Sequence, residues 1–267
     1  MKKKRLFLWL LLGATAVPAE TKQFVMPSDI EFSGSVLETA PNWLWQLEPT
    51  TRAWATDWFA VENEATRDGE AFVFNYAVKN AKGRAALVLG YMKSDASTGR
   101  RGLAPEVSIV DINGASVVLN GNIVKQRISI EALGKTKDER TVKGALSFSV
   151  ESAFGALYKR KGVTDKFFAE AYNNSIGWAA FSLIRWYLGD YINDEYRFNE
   201  AGKMMNETYI RPESSVSIEA IIDGTREPTV ICDVIGSFTS HLSEVSTRWI
   251  EVPKTWTASM TINVRMK

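Results

Sequence analysis

The chain has 267 residues, of which 45% are hydrophobic and 24% charged, enough apolar material for a folded core and too much for a disordered chain. Its 32 basic and 31 acidic side chains give a formal charge of +1, so it lacks the positive surface typical of nucleic-acid-binding proteins. A single histidine and a single cysteine exclude a zinc cluster of Cys and His ligands. We therefore expect no nucleic-acid partner, no metal and no cofactor.

Residues 1–19 are predicted to be a secretory signal peptide. Residues 2–5 are basic, and residues 6–17 form an apolar stretch that is too short to span a bilayer of about 30 Å. Small side chains near the cleavage site place the cut after Ala19, so the mature chain begins at Glu20. The mature chain then has 28 basic and 31 acidic side chains, a net charge of −3, and we expect it to be exported into the periplasm and beyond.

Cys232 is the sole cysteine and lies in the apolar run 230–234. In an oxidising compartment it has no internal partner for a disulfide. Because free cysteine is among the most frequently buried residue types, we predict a small buried strand residue at this position.

Most of the mature chain alternates between apolar and polar residues with a period of two, which predicts β-strands with one buried face. Turn signals separate the runs, and many short strands of this kind indicate an all-β sandwich or barrel. The turn at 80–83 predicts that its two flanking runs form a hairpin, and Asn113-Gly114 marks a second turn. The predicted strands are 43–47, 72–78, 87–91, 107–109, 116–119, 127–133, 146–150, 216–222 and 230–235.

Residues 165–193 depart from this pattern, because apolar residues recur there at spacings of three and four. This spacing predicts one or two helices inserted into the β domain. A break at 173–175, with Ser175 as the N-cap, and a stop at Gly189 are expected.

Amphipathic strand patterns also occur at both ends of the mature chain, where chains usually fray. Such strands can pair within one subunit or between subunits, and the alternation alone leaves both arrangements open. The residues that share a face are Ile30, Phe32, Gly34 and Val36 at the N-terminus, and Ala258, Met260, Ile262, Val264 and Met266 at the C-terminus.

Five short motifs carry a resemblance to a known family. They are Phe32-Ser33-Gly34-Ser35-Val36, Trp43-x-Trp45, Asn113-Gly114-Ala115-Ser116-Val117-Val118-Leu119, Gly162-Val163-Thr164 and Trp256-x-Ala258. In this order, across nearly the whole mature chain, they resemble the fimbrial subunits of the kappa clade of chaperone–usher fimbriae. The lectin-like major subunit and the minor subunits of porcine enterotoxigenic fimbriae are members of that clade.

The resemblance implies an incomplete immunoglobulin-like sandwich over residues 39–267 that lacks its last strand, with a helical insert at about 165–193. Residues 20–38 would be a donor-strand extension, with Ile30, Phe32, Gly34 and Val36 entering a neighbouring subunit. The strand bearing Met260, Ile262, Val264 and Met266 would line the groove and dock on a periplasmic chaperone, before an outer-membrane usher passes the subunit to the surface fimbrium. Many members carry a penultimate tyrosine where this chain has Met266.

The helical insert also contains the candidate ligand-binding residues. Relatives that bind host glycans carry helical insertions in this part of the sandwich, and aromatic faces stack on sugars. Trp178, Trp186, Tyr187 and Tyr191 are therefore candidate glycan contacts, although their helical spacing equally favours core positions.

The sequence also allows two other functional classes, an enzyme and a monomeric carbohydrate-binding protein. The acid pairs Glu62/Glu64 and Asp194/Glu195 could serve a glycosidase, but adjacent carboxylates on charged loops are usually solvated, and no hydrolase, metalloprotease or nucleotide-binding motif occurs. His241 has serines nearby, but neighbouring strand residues point to opposite faces. We therefore expect no enzymatic activity. The alternative function is a soluble periplasmic carbohydrate-binding protein that acts as a monomer.

Overall fold

A computed structural model describes residues 22–25, 43–76, 83–97, 103–122, 124–162, 167–171, 174–193, 218–225 and 231–266. For residues 22–25, 167–170 and 188–193 it describes the backbone. The predicted signal peptide and the predicted donor residues Ile30, Phe32, Gly34 and Val36 lie outside the described residues.

Strands dominate the described chain. They are β1 (Lys22–Val25), β2 (Trp43–Leu47), β3 (Thr66–Asp68), β4 (Ala71–Asn75), β5 (Ala85–Met92), β6 (Ala96–Ser97), β7 (Pro105–Val110), β8 (Ser116–Val118), β9 (Gln126–Lys135), β10 (Thr141–Arg160), β11 (Phe167–Ala171), β12 (Ile231–Trp249), β13 (Thr255–Ala258) and β14 (Thr261–Met266). The helices are α1 (Pro49–Ala55), α2 (Ser175–Asn193) and α3 (Glu219–Ile222), with a short 3-10 helix at Glu62–Glu64.

The strands form two sheets that pack face to face. The smaller sheet has the order β1-β14-β7-β8, and the larger sheet contains β13-β9-β10-β12-β4-β3 with β2, β5, β6 and β11 attached. Apolar side chains from both sheets meet in one core, for example Ile109 and Ile262 from the small sheet with Phe148 from the large one. The predicted all-β sandwich with a small helical insert is thereby confirmed.

The longest strands of the large sheet, β10 and β12, pair antiparallel at its centre. The pairing runs from Gly144 opposite Trp249 to Arg160 opposite Ile231. The sequence predicted only parts of these strands, because over much of their length both faces are buried and the apolar–polar alternation is lost. Both faces are buried because the core covers one side and α2 covers part of the other.

The predicted hairpin across residues 80–83 is wrong. Both β4 and β5 pair with β12, with Phe74 opposite Thr247 and Leu89 opposite Thr239. The two strands thus follow one another along the same edge of β12. Alternation identifies which face a residue occupies but does not identify the partner strand, so the period of two could not distinguish the arrangements.

A β-bulge in β12 separates these two partners. The register with β10 shifts between Ser147 and Ser149, and Glu244 has a left-handed φ of 53°. Lys125 Nζ donates to the Glu244 carboxylate at 2.6 Å, and Ser149 Oγ donates to it at 2.7 Å. These hydrogen bonds lower the pKa of Glu244 and help to hold the bulge.

Of two further predicted elements, a hairpin is confirmed and a strand is wrong. The hairpin at Asn113-Gly114 is confirmed, since β7 pairs with β8 and Gly114 has a φ of 78°. The strand predicted at 216–222 is wrong within the described residues, where Glu219–Ile222 is the helix α3. Ile221 and Ile222 are buried there, so the apolar residues that suggested a strand serve a helical turn.

The C-terminal pattern corresponds to two strands where one was predicted. β13 pairs with β9 in the large sheet, whereas β14 pairs with β7 in the small sheet. The chain crosses between the sheets at residues 259–260, and Met260 at the crossing is buried. The alternation continues through the crossing because both strands bury their even-numbered residues in the same core.

The helical insert is shorter than predicted. Residues 167–171 form β11, which pairs with β10, so the helix starts at Ser175. The side chain of Asn174, one residue before the predicted N-cap, accepts hydrogen bonds from the backbone N–H groups of Ile176 at 3.1 Å and Gly177 at 2.7 Å. The helix passes through Gly189, the predicted stop, and ends at Asn193.

Small residues on the outer face of the large sheet allow α2 to pack closely against it. A Cβ added to Gly155 would lie 2.9 Å from the backbone nitrogen of Phe181, and Ser237 Oγ donates to the carbonyl of Ala180 at 2.6 Å. The backbone of α2 therefore approaches the sheet closely. Cys232 lies on β12 as predicted, but it is half-buried rather than fully buried.

Trp249 occupies the space above a glycine on the neighbouring strand. The two residues are directly opposite each other, and a Cβ added to Gly144 would lie 2.2 Å from Cε3 of the buried indole. An aromatic ring over a strand glycine supplies the packing that the glycine lacks. The pairing fixes the ring at the end of β12.

We predict that Gly144→Ala lowers the free energy of unfolding by about 1–3 kcal/mol, because the added methyl group forces Trp249 out of its position. Urea unfolding followed by tryptophan fluorescence measures this change. The neighbouring exposed variant Lys143→Ala loses only a surface ion pair with Glu131 and is the control, with an expected change below about 1 kcal/mol. Equal stability of Gly144→Ala and wild type would contradict the packing argument.

Candidate functional site at the C-terminal strands

The inner face of β14 contributes to the core of the sandwich. Ile262 is 2% exposed, and Val264 and Met266 are half-buried against the core. Met260, immediately before the strand, is also buried. The four residues predicted to line the groove are therefore brought together on one face of the chain.

Both edges of β14 are paired, one of them by a short strand. On one side β7 pairs with it from Ile109 opposite Ile262 to Pro105 opposite Met266. On the other side β1 runs antiparallel, from Lys22 opposite Val264 to Val25 opposite Thr261. The N-terminal segment of the same chain thus lies along the outer edge of this strand.

An apolar cleft of about 760 Å³ opens beside β13, and Met260 at the crossing to β14 is part of its lining. Its lining includes Thr51 and residues 54–60, from α1 and the loop after it, together with residues 251–258. Inward-facing residues of the large sheet complete the lining, among them Phe74, Ile130, Phe148, Leu242, Val245 and Trp249. This volume lies within the range of ligand pockets, and the lining favours apolar side chains.

Four aromatic rings form a continuous row along the cleft. The ring centroids of Trp54 and Trp58 are 4.9 Å apart, those of Trp58 and Tyr76 are 5.9 Å apart, and those of Tyr76 and Trp256 are 5.7 Å apart. The Tyr76 hydroxyl forms a 3.2 Å hydrogen bond with Thr247 Oγ1. Burial raises the pKa of Tyr76, so its hydroxyl stays protonated and neutral near pH 7, and the row offers no charge to a ligand.

Charged side chains are confined to the rim of the cleft. Lys137 Nζ lies 3.9 Å from the Glu62 carboxylate, and Arg140 donates two hydrogen bonds to the Glu251 carboxylate, which raises the pKa of Arg140. These pairs are exposed, so they contribute little to stability. Phe59, also at the cleft, is 65% exposed.

The aromatic wall of the cleft was missed by the sequence analysis. Trp54, Trp58 and Phe59 occur within six consecutive residues, and such crowding of large rings in one short segment was the available signal. Trp256 was singled out only through the family resemblance. Neither segment has a periodicity that would have predicted their meeting.

The three described aromatic candidates on α2 are all partly open to solvent: Trp186 is 75% exposed, Tyr187 45% and Trp178 41%. The Tyr187 ring also stacks on Tyr91 with centroids 4.3 Å apart, and its hydroxyl accepts a 2.6 Å hydrogen bond from Gln46 Nε2. Tyr187 therefore ties α2 to β2 and β5, and Trp178 packs edge-on against Phe181. Trp186 is the most exposed of the three. The side chain of Tyr191 lies outside the described part of the chain.

The residues considered for catalysis are not assembled into a site. Glu62 and Glu64 lie on the exposed 3-10 helix, and the pair Asp194/Glu195 lies outside the described residues. His241 is opposite Glu151 on β10, whereas the adjacent Ser240 is buried and accepts a hydrogen bond from the backbone N–H of Val88. The part of the chain that the structure describes contains no metal-binding group of three His, Cys, Asp or Glu residues. None of its helices is both long and apolar enough to cross a membrane.

The chain matches the model of a known protein family. The model of the K88 fimbrial family, described as "Fimbrial, major and minor subunit", matches residues 2–267 and hence nearly the whole chain. No curated protein matches the sequence at a significant level.

His241 makes the stability of the fold sensitive to mild acid. Burial, and then the positive charge of Arg84, lower its pKa below the ordinary value of 6.5, although Glu151 and Glu48 act in the opposite direction. The unfolded chain therefore takes up a proton at a higher pH than the folded chain does. The contribution of neutral His241 to the free energy of unfolding is therefore full above pH 6.5, and it is lost as the pH falls through the lowered pKa of His241.

We predict that His241→Gln weakens this dependence, because glutamine does not titrate. The free energy of unfolding, measured by urea denaturation at several pH values between about 7 and 5, should fall less steeply for the variant than for wild type. Identical pH slopes for the two proteins would show that His241 does not carry the effect.

Proposed function

Because this chain belongs to the K88 family of major and minor fimbrial subunits and is therefore a subunit of a surface fimbria, we propose that it polymerises by donor-strand exchange. The N-terminal segment of one subunit, with Ile30, Phe32, Gly34 and Val36 on one face, pairs with β14 of the next and fills its cleft. The observation that carries this proposal is the apolar cleft beside β13 and the crossing to β14.

The cleft and the donor segment are chemically matched. The cleft is lined by core residues and by the aromatic row from Trp54 to Trp256, so its exposure to water is unfavourable. Burial of Ile30, Phe32 and Val36 contributes roughly 1.5–3 kcal/mol each, or about 5–9 kcal/mol together before ordering costs. A ladder of backbone hydrogen bonds along the strand adds to this. One inserted segment thus buries the apolar lining of the cleft and also forms hydrogen bonds with the backbone groups of β14.

Gly34 has a separate role in this proposal. It shares the apolar face with its neighbours in the alternation, and a glycine in such a strand allows the backbone to approach its partner closely. We place Gly34 where the groove is too shallow to hold a side chain.

Before assembly, the apolar cleft needs a temporary partner, because exposed apolar surface promotes aggregation. We propose that a periplasmic chaperone supplies this partner and that an outer-membrane usher exchanges it for the donor segment of the neighbouring subunit. The predicted signal peptide provides the route into the periplasm.

We further propose that α2 contributes to adhesion by contacting host glycans. The supporting observation is the exposure of Trp186, whose ring is open to solvent on a helix anchored by Tyr187. Trp178 is the second candidate contact. Tyr187 acts in this proposal by positioning the helix rather than by touching the sugar.

We predict that Gly34→Arg prevents fibre growth while leaving the chaperone complex intact, because the new side chain lies on the inserted face of the donor segment. The matched control is Ser33→Arg, which adds the same bulk and charge on the opposite face of the same strand. Electron microscopy of surface fibres and co-purification with the chaperone provide the two measurements.

Normal fibres from Gly34→Arg would contradict the donor role. A stable monomer that lacks residues 20–38 and still binds glycans would favour the alternative, a soluble periplasmic carbohydrate-binding protein that needs no donor strand.

We predict that Trp186→Ala weakens binding on a glycan array without changing fibre assembly, since the residue lies at the surface and outside the cleft. Trp186→Phe retains an aromatic face and should keep part of the binding. Unchanged binding by Trp186→Ala would remove this residue from the site. A wild-type protein that binds no glycan would place the chain among the subunits without lectin activity.

A further inference from the structure

The pairing of β1 with β14 occurs within a single chain. Four consecutive residues, Lys22 to Val25, lie opposite Val264 to Thr261 in an antiparallel register. The segment 26–42 separates β1 from β2, and its 17 residues could extend over roughly 55–60 Å. The chain is thus long enough for its own N-terminal segment to reach this edge without a second copy.

We propose that Lys22–Val25 is a cap that closes the outer edge of β14 in the subunit before it polymerises. This proposal rests on donor-strand exchange as the proposed function, because the edge that the cap occupies is the edge that the donor segment would use. One strand edge can hydrogen-bond to only one partner strand at a time. The cap, the chaperone and the neighbouring donor segment therefore compete.

The extent of the cap determines how it can be displaced. It covers Thr261–Val264 but does not reach β13 or residues 251–258, which line the cleft. An incoming donor segment can therefore bury its apolar residues in the cleft first and then replace β1 pair by pair. The cap delays exchange without preventing it.

Short length makes the cap reversible. A four-residue edge strand adds few backbone hydrogen bonds, and isolated short strand pairs are marginal in water. The covalent connection of β1 to the rest of the chain offsets this weak pairing, because a tethered segment has an effective concentration in the millimolar range. The cap thus protects the edge against pairing with other chains, yet it yields to a longer donor segment.

A disulfide test asks whether the pairing is intramolecular. Gln23→Cys and Asn263→Cys place cysteines at directly opposed positions, in a Cys232→Ser background that removes the native thiol. We expect the purified unpolymerised subunit to form an intramolecular disulfide, seen as a monomer by non-reducing electrophoresis and assigned by peptide mass spectrometry. A disulfide-linked dimer, or no disulfide under oxidising conditions, would overturn the cap.

A kinetic test measures its effect on assembly. A synthetic peptide of residues 28–38 is added to wild type and to a variant that lacks residues 20–25. We expect the variant to take up the peptide roughly ten times faster, because the cap reduces the fraction of subunits ready to accept a donor. The control variant Thr21→Pro changes the chain immediately before β1 and should behave as wild type, whereas Gln23→Pro should behave as the deletion.

The outcomes distinguish the two proposals. Equal uptake by wild type and the deletion variant would overturn the cap while leaving donor-strand exchange intact. If neither protein binds the peptide, donor-strand exchange fails, and the disulfide test then decides separately whether the cap exists.

Discussion

The backbone groups along the outer edge of β14 are the constraint from which the other features of the molecule follow. The opposite edge is hydrogen-bonded to β7, and the inward side chains belong to the core, so the strand cannot move away from the sandwich. The outer N–H and C=O groups must then be satisfied by another strand or by water. The pairing with the short β1 and the proposed exchange with a neighbouring subunit are two aspects of this single requirement.

The long strand β12 connects the two regions that are candidates for function. Near its start, Ser237 holds the backbone of α2, and further along, Leu242, Val245 and Trp249 line the cleft. The bulge at Glu244 falls between Leu242 and Val245, where the strand changes partner from β5 to β4. The helix and the cleft therefore share one rigid strand while lying on opposite faces of the large sheet.

The sequence predicted local elements well and long-range partners poorly. The β7–β8 hairpin was predictable because Asn113-Gly114 has a specific turn chemistry, and α2 because its apolar face repeats with a helical period. The full length of β10 was hidden by burial on both faces, and the hairpin assigned to residues 72–91 failed because alternation carries no information about pairing. The cleft could not be predicted, since Trp54 and Trp256 come from distant segments that meet only through the fold. Gly155 and Ser237 contact α2. No periodic pattern in the sequence marks these small residues as the place where a helix packs.

The attachment of α2 has a mechanical consequence. The helix is held by the Tyr187–Tyr91 ring stack, the Gln46 hydrogen bond and the Ser237–Ala180 hydrogen bond, and these contacts reach β2, β5 and β12. A pulling force applied at the exposed side of α2 is thus divided among three strands of one sheet. In the long β10–β12 ladder, a force directed along the strands loads many backbone hydrogen bonds at once. If α2 contacts a host surface as proposed, the load passes through these contacts into the strands of the large sheet.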